Sequence, residues 1–244
     1  MSSAGSSERS VKARLMGLAK RIFDTKAHAL PKLQPGRMLE IGCASGSFLH
    51  QMAHKGWQVE GIEYAESAAQ AARALGYVVD AGALETVDKP PDSYDLIVGW
   101  MVLEHLHQPV ESLRKLATWA RRDATLALSV PNIGSRESRI FGKRWYALQL
   151  PTHLFHYDTA TIVTVLHSAG WQVVRIHHHR TVANLVASSG YWLRDRGLAT
   201  LGERLIHFPE TGGRLGALLT FPFALPLALL GQTGRMTVWA KRAC

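Results

Sequence analysis

From residue 37 onward, apolar and polar positions follow two rhythms. Short apolar runs at 38–41, 57–62, 77–79, 94–99 and 125–130 read as buried strands. The segments 47–55, 66–75 and 110–121 space their apolar residues three and four apart, as one face of a helix requires. Strands and helices alternating at this interval predict βαβ units, hence a parallel sheet covered by helices on both faces. Asp158 is placed to cap a helix reaching 168, Gly170 to end it, and 171–177 reads as a further strand. The last strand, 235–241, is entered through the turn residues Gly231-Gln232-Thr233-Gly234.

Three segments break the rhythm. Residues 11–29 carry Leu15, Leu18, Ala19 and Ile22 at helical spacing with Lys12, Arg14, Lys20 and Arg21 between them, a basic amphipathic helix suited to docking on the main domain. Residues 133–156 have no clear period and set Arg136, Arg139, Lys143 and Arg144 beside Phe141, Trp145 and Tyr146. Residues 184–230 interrupt the sheet, and within them 215–230 is continuously apolar. That run falls short of the roughly 20 residues a bilayer span needs and contains Pro222 and Pro226, so a buried cap or a contact lying on a membrane surface is expected. The expected organisation is a disordered tail (1–10), an amphipathic helix (11–30), a main domain (35–183), an apolar insertion or cap (184–231) and a final strand (232–244).

Composition narrows the class. With 47% hydrophobic and 19% charged residues in 244, the chain is globular rather than disordered. Its two cysteines, Cys43 and Cys244, suggest neither a disulfide framework nor a zinc site. The polar start lacks the apolar core of a secretory signal, so a cytoplasmic protein is expected, with the apolar insertion leaving room for a peripheral contact at the inner face of a membrane. The formal charge of +9 is compatible with nucleic acid, anionic lipid or an acidic substrate.

The stretch MLEIGCASGSFL, residues 38–49, carries the most specific chemistry. A small-residue loop after the first strand of a parallel sheet is where this architecture binds ligands, outside the carboxyl ends of the strands. Gly42 and Gly46 permit a tight turn and close approach to the backbone. The order Gly42-Cys43-Ala44-Ser45-Gly46 does not match the G-x-G-x-x-G of dinucleotide folds, and there is no phosphate loop ending in Gly-Lys-Ser/Thr.

Glu40-x-Gly42-x-Ala44-x-Gly46 instead resembles the first motif of the class I S-adenosylmethionine-dependent methyltransferases, an acid followed by alternating glycines, with Ala44 in place of the middle one. The resemblance continues through VEGIEYAESA, AGALE, YDLIVGWMVLEHLHQP, ALSVPNIGS and LPTHLFHYDTATIVTVLHSAGW. It covers about residues 35–180 and the last strand, and is nearest the subgroup of ubiquinone-biosynthesis O-methyltransferases and related small-molecule and sugar methyltransferases. It implies a Rossmann-like α/β fold of seven strands, the last antiparallel. It also implies S-adenosyl-L-methionine as cofactor, held by Glu40, Gly42, Cys43, Ala44 and Gly46 at its amino-acid end. Glu63 and Tyr64 fall at its ribose, Ala83, Leu84 and Glu85 at its adenine, and Trp100 and Met101 along the cleft. Asp80 competes with Glu85 for the acidic adenine contact.

His105, behind Glu104 at the mouth, and His153 in PTHLFHY are the candidate general bases, while His156 and Tyr157 are assigned to packing. No metal site is expected. His177, His178 and His179 alternate faces on a strand and are assigned to its solvated end, and His50 and His54 lack a third ligand. The expected partner is a small-molecule or lipid-linked acceptor. Nucleic acid is disfavoured because the basic stretch 136–146 has no recognised RNA-binding module. An RNA methyltransferase and a non-catalytic membrane- or partner-binding module remain as alternatives. Steep salt dependence would mark the first and absence of donor binding the second.

Overall fold

A computed structural model of the chain describes residue 30 and residues 32–211 and 213–243. The tail and basic helix expected before residue 30 lie outside the described residues. The chain alternates as the apolar pattern predicts: β1 (Arg37–Ile41), α1 (Ser47–Ala53), β2 (Gln58–Glu63), α2 (Glu66–Ala74), β3 (Val78–Ala81), β4 (Tyr94–Trp100), α3 (Pro109–Trp119) and β5 (Ala120–Pro131). The aperiodic stretch holds a short helix α4 (Arg136–Phe141) and two 3-10 turns, and α5 (Thr159–Ser168) and β6 (Trp171–His178) follow. Helices α6 (Ala183–Arg194), α7 (Ala199–Ile206), α8 (Phe208–Thr211) and α9 (Gly213–Leu229) then precede β7 (Arg235–Arg242).

The seven strands run in the order β3-β2-β1-β4-β5-β7-β6. β1 to β5 pair in parallel, and β7 lies antiparallel between β5 and β6. Neighbouring residues feed opposite faces: Leu39 and Ile97 belong to the cluster with Leu113, Leu116, Leu166 and Trp171, and Met38 and Leu96 to the one with Phe48, Leu49 and Met52. Burying an aliphatic side chain of this kind stabilises by about 1.5–3 kcal/mol, so the two faces anchor the sheet between its helices. The fully buried Trp171 also donates its indole N–H to the Leu113 carbonyl at 2.9 Å, tying β6 to α3.

Local signals hold where they rest on backbone chemistry. Asp158 caps α5 by accepting from the Thr161 N–H at 2.8 Å, with the Thr161 hydroxyl completing the box, and Gly170 follows with φ +83°. One assignment is corrected. The histidine run is not a solvated strand end: His179 is 2% exposed just past β6, its Nε2 2.7 Å from the Thr237 hydroxyl. The central placement of β7 covers it.

Candidate active site

The strand order reverses between β1 and β4, and at such a switch point the loops leaving the carboxyl ends diverge and open a crevice. A cleft of about 550 Å³ lies there, walled by Gly42 after β1, Glu63 and Tyr64 at the end of β2, Gly82 to Glu85 after β3, and Met101, Val102 and His105 to His107 after β4. Its lining includes Glu63, Glu85, His105 and His107 and, among the described residues, no lysine or arginine, a wall suited to a cationic ligand.

The loop from β1 to α1 is shaped by backbone conformation. Gly42 has φ +67°, and a Cβ there would come within 2.6 Å of Val102 Cγ2; Gly46 has φ +80° and abuts Ala72. Ala44, where the resembling family has glycine, keeps the same left-handed turn with φ +48°. That conformation costs a non-glycine residue about 1–2 kcal/mol. The loop is held in part by Glu63, whose two carboxylate oxygens accept from the N–H groups of Ala44 at 2.8 Å and Ala65 at 2.9 Å.

The expected site residues divide into two groups. Gly42, Glu63, Tyr64, Ala83, Leu84, Glu85, Met101 and His105 line the cleft together. Glu40 is 1% exposed beneath the loop and Cys43 is 3% exposed, its thiol pushed up to about 12 by burial and by the carboxylates of Glu40 and Glu63. A thiol so raised is not a nucleophile at neutral pH. Trp100 does not face this cleft; it packs edge-on against Phe48, ring centroids 5.2 Å apart, because alternation on β4 turns it into the core, while Met101, just past the strand, lines the cleft. Asp80 is engaged by Lys89 at 2.6 Å, and of the two acids only Glu85 lines the cleft.

A model of the methyltransferase-domain family matches residues 13–176, more than half of the chain. The chain belongs to this family. It carries a methyltransferase domain by family, and the glycine-shaped loop and the acidic wall are compatible with a cationic ligand. A ubiquinone biosynthesis O-methyltransferase of Bordetella bronchiseptica is 30% identical over 132 residues, 50% of this chain and 55% of that protein, so the chain spans little more than half of that relative's length. An S-adenosylmethionine dependent methyltransferase from Mesorhizobium loti shares the fold with TM-score 0.59 at 17% identity, over 92% of this chain and 98% of the other. Phosphoethanolamine N-methyltransferase 2 of Haemonchus contortus, solved with S-adenosyl-L-methionine, shares it with TM-score 0.57 at 12% identity, over 92% of this chain and 53% of that one.

At the mouth of this methyltransferase's cleft, the 3-10 turn Leu103–His105 meets the loop before α5. The Glu104 carbonyl accepts from the N–H groups of Leu154 at 2.8 Å and Phe155 at 3.2 Å. This brings His105 and His153 together, ring centroids 4.7 Å apart. His105 Nδ1 lies 2.9 Å from the Thr152 carbonyl and His153 Nδ1 2.8 Å from the Ala147 carbonyl. A carbonyl only accepts, so both Nδ1 atoms carry the proton and both Nε2 atoms are left as bases. Burial lowers the His153 pKa against the Ala147 carbonyl, which raises it, and the His105 and His156 imidazoles add to the lowering.

Sequence reasoning placed Glu104 at the mouth beside His105 but gave its side chain no role. It is fully buried, and neither of its oxygens has a hydrogen-bond partner among the described residues. Burial raises its pKa to about 7, against the pull of Arg235. Ligand atoms of Glu104, His105 and His153 lie within 4.8 Å of one another, a triangle with the donor types of a divalent-cation site. The Tyr157 hydroxyl is likewise buried without a partner among the described residues, and its pKa is raised by burial and then by Glu104. Acids and hydroxyls of this kind carry no local sequence signal beyond Glu104 standing next to His105.

Proposed function

We propose that the protein methylates a hydroxyl oxygen of a small or lipid-linked acceptor, with the His105–His153 pair as general base. The observation that carries this reading is the pair's hydrogen bonding: each Nδ1 is occupied by a carbonyl, which leaves each Nε2 unprotonated, with His105 lining the cleft and the buried His153 packed against it. The name of the Bordetella relative, an O-methyltransferase, supports oxygen as the acceptor atom.

S-adenosylmethionine supplies a methyl group on an already cationic sulfur, so little electrophilic help is required of the protein. Glu63 and Glu85 receive the donor's polar groups, the walls exclude water, and the histidine pair orients and deprotonates the acceptor. Removal of both imidazoles (His105→Ala with His153→Ala) is expected to lower kcat by roughly 10²- to 10⁴-fold, with donor affinity unchanged by calorimetry. Undiminished turnover would remove the base from the mechanism. The Glu104–His105–His153 triangle favours a second reading, deprotonation assisted by a divalent cation. Chelation leaves the rate unchanged under the first reading. Under the second, it abolishes turnover until Mg²⁺ or Zn²⁺ is restored.

A further inference from the structure

A second cavity, of about 450 Å³, lies between the 3-10 turns after α4 and the first helix of the insertion; its walls include Lys143, Arg144, Tyr146, Gln149, Tyr191 and Arg194. Asp195 also lines it and accepts from Arg144 Nε at 2.5 Å, and Arg194 Nη1 reaches Glu203 at 3.2 Å. These pairs occupy one position on each guanidinium, leaving donors on both, and Lys143 makes no hydrogen bond or ion pair to any described residue. The lining therefore holds three cationic side chains against one carboxylate. Tyr146 and Tyr191 stack at 6.3 Å with 27° between their planes, and the Arg194 guanidinium lies 5.0 Å from the Tyr191 centroid, so one of the three cations stands over an aromatic face.

The two cavities divide charge between them. The cofactor cleft carries Glu63 and Glu85 with, among the described residues, no lysine or arginine, which suits the cationic donor and repels an anion; the second cavity carries the cations. They are joined by one piece of chain. The turn Tyr146–Leu148 walls the second cavity, while its Ala147 and Leu148 carbonyls hold His153 at 2.8 Å and His156 at 2.9 Å. A ligand seated against this turn rests on the segment that positions the histidine at the mouth.

We propose that this cavity receives a phosphate group of the acceptor, an inference that rests on the methyl-transfer reading above. A carboxylate is satisfied by one guanidinium fork, whereas two partly free guanidiniums and an ammonium match a phosphate dianion with three accepting oxygens. The tyrosines and the adjoining Leu148 and Leu150 take the group's organic neighbour. The phosphate belongs either to a lipid head group or to a free phosphate ester.

The test uses the full chain and phenyl phosphate as probe, with phenol as uncharged control and calorimetry as readout. Phenyl phosphate is expected to bind and phenol not to. Lys143→Ala, at an exposed position without a described partner, and Lys143→Ala combined with Arg144→Gln are expected to weaken phenyl phosphate binding at least tenfold. Their affinity for S-adenosylmethionine should not change. Wild-type protein that binds the donor but not phenyl phosphate, or variants that bind it as wild type does, would overturn the subsite and leave the methyl-transfer reading intact. Loss of donor binding in the wild type would instead strike that reading. Vesicles of phosphatidic acid in phosphatidylcholine separate the two sources. Capture that Lys143→Ala abolishes assigns the phosphate to a lipid head group, and capture absent or unaltered by the variant, with phenyl phosphate binding still lost, assigns it to a free ester.

Discussion

At the scale of single residues, Glu104 shows how a tertiary setting changes what a side chain is. A glutamate beside a histidine reads as an exposed acid at a mouth, yet here it is wholly buried with its pKa raised to about 7. Its folded pKa exceeds its unfolded one, so its protonated form favours the fold. That contribution is fully present below about pH 4.5 and is lost as pH rises through 7. Glu104→Gln, neutral throughout, is therefore expected to be more stable than wild type by about 3 kcal/mol at pH 8 and equal to it at pH 4, read from urea midpoints. An equal gain at both pH values would show that the glutamate is not strained by ionisation. Cys43 is the converse: its place in the β1–α1 loop was legible, and burial together with the carboxylates of Glu40 and Glu63 makes its thiol inert.

At the scale of elements, the β1–α1 and β2–α2 connections act as one unit because Glu63 accepts hydrogen bonds from both. Their spacing was readable in the sequence as an acid, small residues at alternate positions and a second acid after the next strand. The left-handed backbone at Ala44 was not, since alanine rarely adopts it and only the closed loop imposes it. Charged hydrogen bonds contribute about 1.5–3 kcal/mol each, so Glu63→Ala is expected to weaken S-adenosylmethionine binding roughly 10- to 100-fold by calorimetry. Glu63→Gln should fall between the two. Unaltered affinity in the alanine variant would mean that Glu63 serves only to hold the loops. Trp100 and Met101 show the limit of motif reading. Both match the resembling pattern, but the pleat of β4 turns Trp100 into the core beside Phe48, while Met101, just past the strand with φ +60°, lines the cleft.

At the scale of the whole molecule, the insertion of α6 to α9 was open to two readings, a buried cap or a contact lying on a membrane surface. Within its apolar run Phe223, Leu229 and Leu230 are 72%, 75% and 70% exposed. Among the described residues no helix is long and apolar enough to cross a membrane. These side chains are suited to the acyl part of a lipid-linked acceptor or to the surface of a bilayer. The protein is expected to sediment with phospholipid vesicles. Because each apolar side chain entering hydrocarbon contributes about 1.5–3 kcal/mol, replacing all three with aspartate should lower the bound fraction more than tenfold. Vesicle binding that the triple variant retains would place the contact elsewhere.

The sequence by itself determined the order of strands and helices through β5, the small-residue loop after β1 and the acids flanking it. Those features depend on local periodicity and backbone freedom, which neighbouring residues set. Only the tertiary structure decided that β7 lies between β5 and β6 and buries His179, and that Asp80 is spent on Lys89. It alone brought His153 to His105 over a buried Glu104, and gathered Lys143, Arg144 and Arg194 around one cavity. Each of these joins residues distant in the chain, and their protonation and pairing follow from desolvation and proximity that the one-dimensional pattern does not carry.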